Sequence, residues 1–111
     1  MKTRHELIVA TLELLNAIGA GQPPSPEDVQ QIDARIDGKL QELSRRGIIT
    51  TEKDQFDDEV VDPLAVILAD MAAPSFGQPR NPESRFAAEF TLREMQAATL
   101  VPSDVTPSLY Y

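Results

Sequence analysis

Residues 25–47, SPEDVQQIDARIDGKLQELSRRG, decide the fold class of this chain. Ser25 is a favoured helix N-cap, Pro26 suits the first helical position, and the two carboxylates that follow lie near the positive end of the helix. Gly47, directly after two arginines, is typical of a left-handed helix terminator. We therefore predict a helix from Pro26 to Arg46. Its predicted buried face is formed by apolar residues at steps of three and four: Val29, Ile32, Ile36, Leu40 and Leu43.

The segment before this helix predicts another amphipathic helix. Thr3 offers an N-cap hydroxyl, and Glu6 three residues later can bond back to the cap, which is the capping-box pattern. Gly19 and Gly21 predict the end of this first helix. Its predicted core face is Leu7, Ile8, Thr11, Leu12, Leu15 and Ile18.

A third helix is predicted where an aspartate precedes a proline, because a short polar cap followed by proline is typical of a helix start. Asp62 is the predicted cap, Pro63 the first helical residue and Ala73 the last. Pro74 then stops the helix. The predicted buried side chains are Leu64, Ile67, Leu68 and Met71.

A fourth helix is predicted from the pair Asn81 and Pro82, which repeats this opening. Its helical signal fades past Ala98. Phe86 and Phe90 lie one turn apart on one face of this helix. The stem of Arg93 and the methyl group of Ala97 extend that face.

These four helices predict an all-α fold, a small four-helix bundle with an extended C-terminal arm. The β-branched run from Ile48 to Thr51 is too short for a sheet of its own, so it is either a lone extended connector or an edge that pairs with something else. Pro102 and Pro107 keep the end of the chain extended. We expect a helical domain over residues 1–99 and an interaction arm over residues 100–111.

Composition excludes several classes of function. The 10 lysines and arginines against 18 aspartates and glutamates give a net charge of −8, which disfavours affinity for nucleic-acid phosphates. The absence of cysteine excludes disulfides, thiolate nucleophiles and cysteine-based zinc sites. Glu6 and Glu13 interrupt the apolar N-terminal segment, so we expect neither a signal peptide nor a membrane span. The single histidine, His5, is expected to be a solvated surface residue, and with no catalytic motif we predict neither an enzyme nor a cofactor or metal site.

A group of carboxylates precedes the predicted third helix. It lacks the alternating oxygen ligands and the central glycine of an EF-hand calcium loop. One interpretation is a solvated acidic face. The other is that several copies of this face line a negatively charged channel or rim, along which DNA slides without sticking. The residues of the predicted acidic face are Glu52, Asp54, Asp57, Asp58 and Glu59.

The last eleven residues, VPSDVTPSLYY, contain both tyrosines of the chain. A disordered end is one interpretation, since termini are often poorly ordered. The alternative is a docking arm, because apolar and polar residues alternate, proline lowers the entropy lost on binding, and tyrosine is favoured at interfaces. The residues predicted to contact a partner or a neighbouring subunit are Val101, Pro102, Val105, Leu109, Tyr110 and Tyr111.

Several short sequence motifs, which we call marks, occur in an order that resembles the head-to-tail adaptor family of tailed bacteriophages. This family includes the tail accessory or packaged-DNA stabilisation proteins of short-tailed phages. The resemblance covers about residues 4–98. The marks are G-A-G-Q-P from Gly19 with S-x-E-D after it, R-G-I at residues 46–48, P-L-A-x-x-L-A at residues 63–69, and A-P-x-F-G-x-P at residues 73–79.

The resemblance implies a non-enzymatic structural protein of the virion, located at the head-tail junction. It implies a ring, usually of twelve copies, that docks beneath the portal, extends the DNA channel and offers a platform for tail or stopper proteins. The implied partners are the portal protein, neighbouring adaptor subunits and tail components, without sequence-specific nucleic-acid binding. The free chain is expected to be a monomer that assembles on docking.

Two other hypotheses remain open. A small acidic cytoplasmic regulator or antitoxin-like protein would use its carboxylates to bind a basic protein partner. A helix-turn-helix DNA-binding protein would need an exposed basic recognition helix, whereas the basic residues here are scattered, and Arg45 and Arg46 form the one adjacent pair.

Overall fold

Four α-helices form the protein in a computed structural model that describes residues 1–16 and 23–100, with side chains described as far as residue 97. The fold is all-α, a small four-helix bundle, as the sequence predicts. The elements in chain order are β1 (Lys2–Thr3), α1 (Arg4–Leu14), α2 (Pro26–Arg45), β2 (Gln55–Phe56), α3 (Asp58–Ala72), a 3₁₀ turn (Ala73–Phe76) and α4 (Pro82–Leu100).

The predicted start and end of α2 are confirmed. Ser25 is the N-cap, and its hydroxyl accepts a hydrogen bond from the Asp28 N–H at 3.3 Å. Arg46 is the C-cap, and Gly47 has a left-handed φ of 71°. The Ile48 N–H then donates to the Leu43 carbonyl at 2.9 Å. The buried face predicted for this helix is buried except at Val29, which is half-buried.

The predicted capping box opens α1. The Glu6 N–H donates to Thr3 Oγ1 at 3.2 Å, and the Thr3 N–H donates to Glu6 Oε1 at 3.1 Å. The end of the helix was predicted too late, because α1 ends at Leu14 and Asn16 adopts a left-handed φ of 56°. Asparagine tolerates that conformation, so it can terminate a helix without glycine. Ile18, Gly19 and Gly21 lie outside the described residues.

The predicted start of α3 is wrong. The helix begins at Asp58, with Asp57 as N-cap, and Pro63 lies inside it. Val60 and Val61 belong to the first turns of α3 and are buried, at 6% and 5% exposure. Because burial of these two side chains stabilises the helix, α3 starts before Pro63, the residue at which the local sequence predicts its start. The predicted stop is confirmed, since the 3₁₀ turn that contains Pro74 follows directly.

The bundle is organised around α3. This helix packs against all three other helices, and α1 contacts α3 more extensively than it contacts α2. The core of the bundle includes the predicted buried residues of α1 and α3 among the described residues, apart from Met71, which is half-buried.

The connector between α2 and α3 contains β2, which pairs with β1 in the one β-ladder found in the described residues. Ile48 and Ile49 are buried at 0% and 6% exposure but pair with no strand, so the lone-connector interpretation holds for residues 48–51. The ladder lies further along, where Lys2 pairs with Phe56 and Thr3 with Gln55 in antiparallel register. Sequence reasoning missed this pairing because two residues on each side are too few to show alternation.

Candidate interaction surfaces

The predicted acidic face is exposed to solvent along its whole length. Glu52 and Asp54 lie in the connector before α3, Asp57 is the N-cap of α3, and Asp58 and Glu59 form its first turn. We call residues 52–59 the acidic connector. Carboxylates at a helix N-terminus face the positive end of the helix dipole. The negative charges of Asp57, Asp58 and Glu59 therefore stabilise the start of α3, independently of any further function of this surface.

The side chain of Arg4 anchors the acidic connector to α2. Its Nε donates to Asp33 Oδ1 at 2.6 Å, and its Nη1 donates to Asp37 Oδ1 at 2.9 Å. The same Nη1 donates to the Lys53 carbonyl at 3.2 Å, and the Arg4 backbone N–H donates to the Asp54 carbonyl at 3.2 Å. One residue thus fixes the start of α1, the middle of α2 and the backbone of the connector.

These contacts shift the ionisation of the paired groups. Burial alone works to lower the pKa of Arg4, but its hydrogen bonds with Asp33 and Asp37 outweigh that effect and raise the pKa above its ordinary value. The hydrogen bond from Arg4 lowers the pKa of Asp37. Both partners therefore keep their charges near neutral pH. Sequence reasoning missed this anchor because the partners of Arg4 lie 29 or more residues away along the chain.

A second anchor joins α3 to the start of α4 through Asp70, whose side chain is 4% exposed. Asp70 Oδ2 accepts from Arg80 Nη2 at 2.8 Å, and Oδ1 accepts from the Asn81 N–H at 2.6 Å. Arg85 Nε approaches Oδ2 at 3.6 Å, too far for a hydrogen bond, and is buried without another partner among the described residues. The carboxylate therefore holds the N-cap of α4 in place.

The environment of Asp70 keeps it ionised. Burial works to raise its pKa, but the hydrogen bonds from Arg80 and the Asn81 N–H outweigh it, and the pKa lies below its ordinary value. A cleft of about 220 Å³ opens beside this anchor. Leu14, Leu15 and Val66 line its apolar side. Both carboxylate oxygens already accept hydrogen bonds from the protein, so the charge of Asp70 is satisfied within the fold.

A third ionic contact joins the end of α2 to α4. The guanidinium of Arg46 donates to both oxygens of Glu89, at 3.1 and 2.9 Å, and Glu89 is 6% exposed. This bidentate pairing raises the pKa of Arg46. Lys39, which is 7% exposed, donates to Glu42 at 2.9 Å. Arg46 belongs to the adjacent basic pair and is committed to contacts within the fold, which weakens the helix-turn-helix hypothesis.

The face of α4 that carries Phe86 and Phe90 is exposed to solvent. Phe86 is 59% exposed and Phe90 is 60% exposed. The buried side of α4 is formed instead by Ala88, Glu89 and Leu92. The two phenylalanines, the largest apolar residues of the helix, therefore lie outside its packing face. Arg93 and Ala97 lie on the exposed face with the phenylalanines, as predicted for the face itself.

We call the exposed face of α4 that carries Glu83, Phe86, Phe90, Arg93 and Ala97 the α4 stripe. The Arg85 guanidinium lies 4.8 Å from the ring centroid of Phe86 and stacks on one side of that ring. Such a cation-π contact restrains the ring. The stripe is the largest apolar exposure that a helix of the described bundle presents, apart from single residues such as Leu14.

The remaining site predictions have different outcomes. Val101, Pro102, Val105, Leu109, Tyr110 and Tyr111 lie outside the described residues. His5 is exposed, as predicted. Across residues 1–16 and 23–100, no group of three or more acidic, histidine or cysteine side chains is arranged to hold a metal ion. Within the same ranges, no helix has the length and apolar character needed to cross a membrane.

Comparisons with protein-family models, with curated proteins and with solved structures found no match to this chain. The family resemblance therefore stays a prediction that depends on the sequence marks.

Proposed function

We propose that this chain is a structural head-to-tail adaptor of a tailed bacteriophage. It docks as a ring beneath the portal, extends the DNA channel and provides a platform for tail or stopper proteins. The ordered sequence marks between Gly19 and Pro79 carry this proposal. In the fold, three of them lie at the end of α2, on the buried face of α3 and at the turn before α4.

The acidic connector gives the proposal a physical role. In a ring of identical subunits each exposed carboxylate is repeated around the axis, so the connector supplies a negative wall or rim. DNA phosphates are repelled by such a surface, and packaged DNA passes without sticking. The Arg4 anchor fixes the connector backbone at the Lys53 and Asp54 carbonyls, so the charges keep a constant position.

The predicted arm supplies the contact with the portal or with a neighbouring subunit in this proposal. The sequence predicts its start at residue 100, but Leu100 belongs to α4, so the arm comprises residues 101–111. It begins directly after α4, which ends at Leu100. Its apolar and aromatic residues include both tyrosines of the chain. Docking a short apolar arm that proline has stiffened costs less conformational entropy than docking a flexible one.

The test uses the portal protein encoded by the same genome, purified as a ring. The full chain should bind the portal ring and appear beneath it as an added ring in electron micrographs. A chain that ends at Leu100 keeps α4 whole and should bind at least about tenfold more weakly, since the loss of three buried large side chains exceeds 1.4 kcal/mol. Failure of the full chain to bind any portal ring would reject the adaptor; equal binding by the shortened chain would reject only the arm.

A charge test separates the role of the acidic connector from assembly. Glu52→Lys with Asp54→Lys places four units of positive change in each subunit on exposed positions. Assembled rings of this variant should retain DNA at low salt, whereas wild-type rings should not. Glu13→Lys with Glu27→Lys changes the charge equally at exposed positions outside the connector and is the control. Equal DNA retention by both variants would reject the channel role of the connector.

A small acidic regulator is the second candidate function, and the exposed connector with the net charge of −8 is the observation that favours it. It would bind a basic protein surface and have no affinity for a portal ring. Copurification of one stoichiometric basic protein, released by salt, together with failure to bind the portal would favour the regulator over the adaptor.

A further inference from the structure

The exposed face of α4 carries three charged side chains that make no ion pair among the described residues: Glu83, Arg93 and Glu94. Glu83 and Arg93 are exposed, and neither makes an ion pair or a side-chain hydrogen bond among the described residues. By contrast, Arg46, Arg80 and Glu89, near the same helix, are all engaged in ionic contacts. Glu83 and Arg93, of opposite sign, flank the two exposed aromatic rings, and Glu94 lies beside Arg93 at the edge of the same face.

The order of these four residues is symmetric. Glu83 lies three residues before Phe86, and Arg93 lies three residues after Phe90. Residues three and four apart share a helix face, so all four side chains lie on one stripe. If a second α4 runs antiparallel against this face with Phe86 opposite Phe90 of the second copy, then Glu83 lies opposite Arg93 of the second copy. The reverse contacts form by the same symmetry.

We propose that the α4 stripe is a self-complementary docking surface for a second copy of this chain, which pairs with it through antiparallel α4 helices. Each pair buries four phenylalanine rings and forms two Glu83–Arg93 ion pairs between the copies. Such an isologous contact is closed, because each copy uses the same patch. Offset aromatic pairs at the centre and charge pairs at the rim are the arrangement found in many interfaces.

Other occupants fit the stripe less well. A parallel pair of α4 helices would place Glu83 against Glu83 and Arg93 against Arg93, which is repulsive at both ends. A basic partner would be repelled by Arg93 and an acidic partner by Glu83. The opposite signs of Glu83 and Arg93 at the two ends of the stripe therefore favour a copy of the same helix in the opposite direction, in which Glu94 lies opposite the uncharged Pro82.

The buried area limits the strength of the pair. Phenylalanine side chains bury roughly 150–250 Å² each when fully covered, so the four rings supply well under the roughly 1,200 Å² of a standard stable interface. The net charge of −8 on each copy adds repulsion, which salt near the physiological concentration screens beyond about 8 Å while close ion pairs persist. We therefore expect a reversible dimer that forms in the micromolar to millimolar range.

This pair is independent of the proposed function. A closed two-fold contact does not propagate around a ring, so it describes the free chain rather than the assembled adaptor. It differs from the expectation of a free monomer that the family resemblance implies. The portal experiment and the dimer experiment can therefore succeed or fail separately.

Sedimentation equilibrium of the full chain tests this dimer. Measurements extend to about 1 mM, a concentration at which even a dimer with a binding free energy of about −4 kcal/mol is populated. Glu83→Arg and Arg93→Glu each turn two attractions into two repulsions, and each should weaken dimerisation by about tenfold or more. The double variant with both changes restores opposite charges in the antiparallel register and should dimerise as wild type does. An equimolar mixture of the two single variants should form mixed dimers.

Controls separate pairing from folding. Glu13→Arg makes the same charge change at an exposed position on α1 and should leave dimerisation unchanged. Phe90→Ser removes apolar area from the stripe and should lower dimerisation without loss of helical circular dichroism, since Phe90 is 60% exposed. Thermal unfolding accompanies every variant, because Glu83→Arg also removes a carboxylate from the first turn of α4.

The outcomes are distinct. Loss of dimer in each single variant with recovery in the double variant supports the antiparallel pair. A wild-type chain that stays monomeric throughout the concentration range overturns it. A dimer that neither single charge reversal weakens also overturns it, because another surface or a parallel arrangement must then hold the copies together.

Discussion

The segments around Pro63 and Pro82 have the same local pattern but different structures. Each proline follows a short polar residue, Asp62 or Asn81, that can cap a helix. Asn81 does so, because its side chain accepts from the Ser84 N–H at 3.1 Å and α4 begins at Pro82. Asp62 does not, because α3 is already in its second turn there.

The residues upstream of each proline account for the difference. Val60 and Val61 are buried in the core, and burial of two valines is worth about 3–6 kcal/mol, which offsets the cost of about 3 kcal/mol for a proline inside a helix. Upstream of Pro82 lie Gly77, with a left-handed φ of 73°, and the exposed Pro79. That segment offers no apolar side chains to bury. A helix thus starts before its local start signal where tertiary packing stabilises the additional residues.

The largest expected effect comes from comparing a buried residue of α3 with an exposed residue of α4. Leu64→Ala in α3 should lower the free energy of unfolding by about 2–5 kcal/mol, because Leu64 is 0% exposed and leaves a cavity. Phe86→Ala in α4 should change it by less than about 0.5 kcal/mol at concentrations where the chain is monomeric, since Phe86 is largely exposed. Urea unfolding followed by circular dichroism measures both. A large loss for Phe86→Ala would contradict the exposure of this face of α4.

The next effect concerns the anchor that joins the two helices. Asp70→Asn should lower the free energy of unfolding at neutral pH by about 1–3 kcal/mol, because it weakens buried charged hydrogen bonds to Arg80 and to the Asn81 N–H. Asp62→Asn, at an exposed position of the same helix, is the control and should have little effect. Equal losses in the two variants would show that the Asp70 contacts contribute nothing specific.

The same anchor predicts a pH dependence. The folded chain lowers the pKa of Asp70, so its stabilisation is fully present above the ordinary aspartate pKa near 3.9 and is lost as pH falls through the lower, folded value. Wild type should therefore lose more stability between about pH 5 and pH 2 than Asp70→Asn does. Acid unfolding curves of both proteins that run parallel over this range would contradict the assignment.

The third effect is a difference in sign between the two prolines. Pro63→Ala restores a helical N–H in the interior of α3 and should raise the free energy of unfolding by about 1–2 kcal/mol, after allowance for the greater entropy of the unfolded chain. Pro82→Ala removes a residue suited to the first helical position and should lower it by less than about 1 kcal/mol. Thermal and urea unfolding measure both. Equal signs would mean that the two prolines have equivalent positions in the folded chain.

The smallest effect distinguishes the two caps. Asn81→Ala removes the cap bond of α4 and should cost about 1 kcal/mol. Asp57→Ala should cost less, about 0.5 kcal/mol, because the Asp57 side chain makes no cap hydrogen bond and acts through its charge alone. Added salt should shrink the Asp57 effect and leave the Asn81 effect nearly unchanged. The reverse order of losses would contradict the cap geometry.

Sequence reasoning succeeded where the information is local. The caps at Thr3, Ser25 and Asn81 each involve side chains within three residues of the backbone groups that they satisfy, and all three are confirmed. The core faces of α1 and α2 follow from apolar spacing along single helices, and their described residues largely lie where that spacing places them.

Sequence reasoning failed where distant residues compete. The start of α3 depends on burial of Val60 and Val61 in the core, and the orientation of α4 buries Ala88 and Leu92 instead of the two phenylalanines. The Arg4 and Asp70 anchors depend on partners that the fold brings together, so no local pattern announces them. The charged residues of the acidic connector predict its exposure to solvent, but they do not predict the hydrogen bonds from Arg4 to its backbone.

The central place of α3 affects when the chain can fold as it is synthesised. α1 leaves the ribosome early, but the helix that it contacts most extensively ends only at Ala72. Until α3 emerges, α1 lacks the helix that it contacts most extensively, and Arg4 reaches its last partner only when Asp54 has been added. A nascent chain stalled before residue 58 therefore presents an apolar helix face, which is the kind of surface that chaperones bind and that promotes aggregation.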